Sequence, residues 1–279
     1  MELTLASLLE SARAFGAILQ AGWQPRRTLQ LCSWDAEEFA LIGSVEYGET
    51  HFKTLTSKAV AYLNFDIAVS GTDFFAPIGT PNMKALLTRA AKLVNLPEKN
   101  GDAVTVYDLW AKAGLVNGSA ELEPLGSGSD YGGFIQHIGV SSAHLQFTSA
   151  DGRYQSVYHS NYDSNYYVTH FLDPDFGYHT AASNVMSLAV KGLVDSLIIP
   201  FDFRDYASAL YDGTLKLNEG NVLTAQNISL GPLLDSVAQF TDVANAVATE
   251  IEQANVGDAL RLRMLNDRLL MLERAFIDY

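Results

Sequence analysis

Apolar residues near the start of the chain fall at Leu5, Leu8, Leu9, Ala12, Phe15 and Leu19, the spacing of one helix face. Gly22 and Pro25 stop that helix. "TLQLCS", 28 to 33, then reads as a strand, and "AVAYLNFD", 59 to 66, as a second. Between them "EFALIGSVEYGE" reads as a turn into a helix. "TPNMKALLTRAAKLVNL" predicts a helix running to about Leu96, with Thr80 as N-cap and Pro81 at the first helical position. Residues 97–129 read as irregular, apart from a short helix near Val104 to Ala113. "LGSGSDYGGF" has the Gly/Ser content of a loop, and "IGVSSAHLQFT" reads as a third strand. The polar, aromatic stretch that follows suits a long surface loop.

From about residue 175 the pattern is helical only: "YHTAASNVMSLAVKGLVDSLI", "DFRDYASALYDGTLKL", "LGPLLDSVAQFTDVANAVATEIEQANV" and "ALRLRMLNDRLLMLERAFI". Alternation followed by helices predicts an α/β domain over residues 1–200 and part of a helical domain over 201–279.

Composition narrows the function. Hydrophobic residues make up 48% of the 279, enough for a core. The formal net charge of -14, from 32 acidic and 18 basic residues, argues against nucleic acid, whose phosphates need Lys and Arg. It is compatible with an acidic metal site or simply with solubility. No apolar run approaches the roughly 18 residues of a membrane span. The first residues lack the basic start and apolar block of a signal peptide. The chain by itself therefore reads as cytoplasmic. The single Cys32 excludes an internal disulfide and a cysteine zinc cluster, and reads as a small core residue. Sequons at Asn117 and Asn227 matter only for a secreted chain.

The candidate chemistry sits where strands end. Ligands collect at the carboxyl ends of strands in open α/β sheets. The first predicted strand ends on Asp35, Glu37 and Glu38, the second on Asp66, and a later polar loop supplies His159. Carboxylate oxygens and imidazole from separate loops are what a zinc site requires. A hydrolytic site adds a carboxylate that takes a proton from water. The same residues also fit a solvated acidic corner, a turn cap and one histidine among six.

Longer motifs add to this. "RRTLQLCSWDAEEFALIGSVEYGE", "AYLNFD", "LGSGSDYGGFIQHIGV", "VYHSNYDS", "DPDFGYHTAA", "IIPFDFRDYA" and "RMLNDRLLMLERAFID" occur in collinear order. Together they resemble the glutamate carboxypeptidase II and transferrin receptor family, which combines two-zinc exopeptidases with metal-free receptors. The resemblance implies an α/β fold: a partial zinc-exopeptidase sheet flanked by helices, then part of a helical dimerisation domain. It implies Glu37 as general base, Glu38 and His159 as ligands of one zinc, Asp66 as ligand of the other, and Tyr158 as a hydrogen-bond donor to the oxyanion. It implies calcium ligation by Glu46 and Glu49, and a substrate cleft lined by Gly128, Ser129 and Asp130.

The departures also carry expectations. The family's upstream His and bridging Asp have no counterpart in this sequence, so the chain reads as a fragment with an incomplete metal shell and little or no activity. Ala76, His144 and Gln146 stand where glutamate-preferring members carry an arginine-rich patch, and Ser129 stands for an Asn. This predicts a broader carboxypeptidase- or aminopeptidase-like specificity for peptides. A receptor-like or sorting protein acting through homodimerisation is the alternative. The resemblance further implies a parent anchored in a membrane with its catalytic part lumenal or extracellular. Sheet strands lost with the upstream segment would leave an exposed strand edge.

Overall fold

The computed structural model describes residues 2–97, 104–116 and 118–278, so the sequon at Asn117 lies outside the described residues. The chain is a mixed α/β structure. In chain order its main elements are α1 (Glu2–Gln20), α2 (Ile42–Thr50), α3 (Phe52–Lys58), β1 (Ala61–Asn64), β2 (Phe74–Phe75) and β3 (Ile78–Gly79). Then come α4 (Lys84–Lys92), α5 (Val106–Ala113), β4 (Leu115–Val116), β5 (Ser119–Ala120), β6 (Ser141–His144) and β7 (Phe147–Thr148). The last four are helices: α6 (Gly177–Asp195), α7 (Phe203–Lys216), α8 (Gly231–Glu252) and α9 (Ala259–Leu272).

β6 is the centre of a three-stranded sheet. β1 pairs with it in parallel, Ala61 opposite Ser141 and Asn64 opposite His144. β3 pairs antiparallel on its other edge. Two small antiparallel pairs, β2 with β7 and β4 with β5, extend the structure. All four residues of β6 are buried, as expected of a strand covered on both faces. The main core gathers Phe75, Leu87, Trp110, Phe147 and Val185 with Ile199, Phe203 and Leu269. α6 presents ten buried residues to it, which explains why its periodicity is so clear in the sequence.

Four expectations need correction. Residues 28–33 form no strand: extended backbone becomes a strand only when a neighbour completes its ladder, and here none does. The fourth helix stops at Lys92, because Leu96 N–H and Val106 N–H bond across to Val104 and Val94 carbonyls instead. Its start is a 3₁₀ turn over Pro81–Met83, and the Thr80 side chain caps nothing. Finally, the loop ends at Asp130: Tyr131–Ile138 is helical, since Phe134 and Ile138 bury against Trp34, Tyr47 and Phe52. The predicted third strand is split between β6 and β7.

Candidate active site

The acidic turn is tightly built. Glu37–Phe39 forms one 3₁₀ turn between Ala36, Ala40 and Leu41, all with left-handed backbone. Gly43 follows because the chain passes so close to Asp35 that a Cβ would lie 2.5 Å from its carbonyl oxygen. The Gly43 N–H donates to that oxygen at 3.0 Å, closing the turn onto α2.

Glu38 and His159, 121 residues apart, meet there: Nε2 lies 3.0 Å from Oε1 and 2.9 Å from Oε2. His159 itself has left-handed backbone, which turns its ring toward the glutamate. The Tyr158 ring stacks on it at 3.9 Å between centroids. The Tyr158 phenol is exposed and pushed above its ordinary range, by burial first and then by Glu38 and Asp66.

Glu37 faces a second group of acids. Its carboxyl is pushed up to about 7, chiefly by burial and then by Asp66, Asp130 and Glu38, with His159 opposing. A carboxyl poised near neutrality is suited to accept and return a proton. Asp130 is buried, and its carboxyl is raised by burial, held back by the Ser44 hydroxyl and raised again by Asp66. Its Oδ1 has no hydrogen-bond partner among the described residues. Glu37, Asp66 and Asp130 line one end of a cavity of about 1210 Å³.

Below the acids lies a buried polar chain that residue pattern did not reveal. Trp34 Nε1 donates to Tyr62 OH at 3.0 Å, and Tyr62 OH donates to Asn64 Oδ1 at 3.0 Å. Asn64 Nδ2 donates to Ser129 Oγ at 2.9 Å and lies 3.2 Å from His144 Nδ1. Tyr62 and Asn64 share a face because strand side chains alternate. The only sequence signal was a polar residue two positions before Asp66 in an otherwise apolar run. The His144 imidazole is depressed by burial, against the pull of Asp66 and Gln146. The Gln146 carbonyl accepts from Ala76 N–H at 2.9 Å. Gly128 is exposed beside buried Ser129.

The expected site residues are thus brought together only in part. Glu38 joins His159, and Glu37, Asp66 and Asp130 interact. Among the described residues, however, no three His, Cys, Asp or Glu side chains gather closely enough to hold a metal ion. A catalytic zinc has three protein ligands as a rule, so the donor set described here does not complete one. Glu46 and Glu49 lie on the exposed side of α2, without a third carboxylate to form a calcium cage.

An α/β chain with carboxylates and a histidine converging at strand ends has the layout of a metallohydrolase. Residues 3–186 match the model of Peptidase family M28, and the chain belongs to that family. It is 37% identical to aminopeptidase NAALADL1 of Mus musculus and 39% identical to a probable glutamate carboxypeptidase, LAMP1, of Arabidopsis thaliana. Each match covers 98% of this chain and 38% of the relative, so the chain spans well under half the length of these proteins. It is also 34% identical, over 74% of its length and 25% of the relative's, to vacuolar protein sorting-associated protein 70 of Saccharomyces cerevisiae. Among the described residues no helix is long and apolar enough to cross a membrane.

Proposed function

We propose that this chain carries the proton-transfer part of a zinc-dependent exopeptidase centre acting on peptides. The observation that carries this reading is the Glu38–His159 pair beside Glu37, whose carboxyl titrates near neutrality. Glu37 would take the proton of the attacking water and return it to the leaving amine, and Tyr158 would donate to the developing oxyanion. Zinc would supply Lewis acidity, but no step is assigned through it here, because the described donors are incomplete. The neutral environment of His144 and Gln146 favours a specificity broader than C-terminal glutamate. The chain alone is expected to turn over little or no substrate.

The test is zinc titration by calorimetry on the 279-residue protein, His159→Ala and Glu38→Gln, together with a dipeptide panel. Weak zinc binding that both substitutions abolish supports the reading. Binding indifferent to both overturns it. Dipeptide turnover that Glu37→Gln abolishes would overturn the expected inactivity while supporting the role of Glu37.

A second reading, a non-catalytic sorting or receptor-like protein that dimerises through its helical part, is favoured by the incomplete donor set. The name of the yeast relative is consistent with it. It predicts a homodimer by light scattering and no zinc uptake. A zinc-binding monomer would exclude it.

A further inference from the structure

β1 is an edge strand: it pairs with β6 on one side, and no described backbone pairs with its other side. Residues 28–34 run extended with no ladder on either side. The two segments face each other across the 1210 Å³ cavity, which is lined continuously by 27–34 and 57–66 except for Thr56-side and solvent-facing positions. Their backbones are not within ladder distance, because the contact between them is made by the tips of two long side chains, Trp34 Nε1 and Tyr62 OH. The segments also run in the same direction, since each leads into acids that interact, Glu37 after the first and Asp66 after β1. Helices close the remaining walls with apolar groups such as Leu8, Phe15, Val190 and Leu193.

Two parallel, extended, unsatisfied edges with an apolar gap between them form a slot for a backbone. Buried N–H and C=O groups without partners are costly, and main-chain pairing is what such edges recruit. The slot is apolar along its length and acidic at the end where Glu37, Asp66 and buried Asp130 lie. Asp130 Oδ1, which no described group contacts, points to a cationic group at that end.

We propose that the gap between residues 28–34 and β1 binds one extended strand of a separate polypeptide, apolar over about five residues and basic at its C-terminal end, by β-augmentation. An inserted strand would be central and covered on both faces, which calls for a nearly continuous β-branched run. A strand lying parallel to both neighbours delivers its following Lys or Arg to the acids.

The probe is a blocked peptide of alternating valine and isoleucine, five in all, followed by two lysines. Cys32 lines the slot and is the only cysteine, so its labelling by a thiol reagent reports occupancy directly. With peptide at ten times its dissociation constant, Cys32 labelling of the full chain should slow about tenfold. Amide exchange should slow within 28–34 and 61–64. A version with proline at the second and fourth apolar positions should not bind, because proline lacks the donor, and a version ending in two glutamates should bind more weakly.

Unchanged labelling and exchange at millimolar peptide would overturn the proposal. So would equal binding of the proline version, or equal binding of the glutamate version. Protection of the same residues that rises with protein concentration alone would also overturn it, in favour of a second copy of this chain as occupant.

Discussion

Asn64 of β1 donates from Nδ2 to Ser129 Oγ at 2.9 Å, 65 residues further along the chain. The bond ties the strand that ends on Asp66 to the loop that presents Asp130, so the spacing of those two acids depends on one buried amide. Replacing Asn64 by Leu keeps the volume and removes both the donor and the acceptor. Ser129, His144 and the Tyr62 hydroxyl would then lose their partner in a buried place. The expected loss is about 2–3 kcal/mol, read as a lower urea midpoint at unchanged slope. A midpoint within error of the parent would show that the network holds nothing.

Behind the acidic turn, Gly43→Ala forces a Cβ against the Asp35 backbone, 2.5 Å from O and 2.9 Å from N. Backbone cannot yield as a side-chain tip can, so the turn itself must shift. About 1–3 kcal/mol of stability should be lost. The Glu38–His159 pair should loosen as well, visible as altered histidine chemical shifts. A variant with native shifts and melting temperature would remove the steric argument.

Asp173 caps α6, accepting from the N–H groups of Tyr178 and His179 and lying 2.8 Å from His179 Nδ1. Burial works to raise its carboxyl, but these bonds prevail and hold it below the usual range. A depressed folded value means stability present above the unfolded value of about 4 and lost as pH falls toward the folded one. Asp173→Ala should cost about 2–3 kcal/mol at neutral pH, and less in acid. Equal cost at pH 3 and pH 7, by thermal unfolding, would contradict the linkage.

Asp205 has the opposite sign. Burial and then Asp202 push its carboxyl up to about 6, with Lys84 and Arg204 pulling it back. The folded chain keeps this proton where the unfolded chain has lost it, so stability falls as pH rises from about 4 to about 6. Asp205→Asn should therefore raise the melting temperature at pH 7.5 and leave it unchanged at pH 4. After allowance for solvent screening the gain is about 1 kcal/mol, or roughly 2–4 °C. A lower melting temperature at pH 7.5 would reverse the argument.

The helices of the second half were legible because their burial is periodic: α6, α7, α8 and α9 fall within the stretches read as helical. Residues 28–33 misled because a strand is a relation between two segments, and local pattern reports only one of them. The same limit applies to Tyr131–Ile138, where contact with Trp34 and Phe52 outweighs the glycines. Glu38 and His159 could not be paired by spacing. Only the collinear motifs joined them, and the geometry agrees. Asn64, Tyr62 and Trp34 escaped notice because a buried hydrogen-bond chain has no sequence period.

β6 links two distant parts of the chain. At its first residue, Ser141 Oγ donates to Glu273 at 3.5 Å, a buried carboxyl that also accepts from Tyr206 OH at 2.7 Å. At its last residue, His144 meets Asn64. Three steps along a strand cover about 10 Å. The next residue, Arg274, donates to the carbonyls of Leu55, Thr56 and Ala59 around α3, just before β1 begins. The C-terminal helix thus works as a latch on the sheet from behind, and damage at residues 273–274 is felt at the acids although more than a hundred residues of sequence separate them.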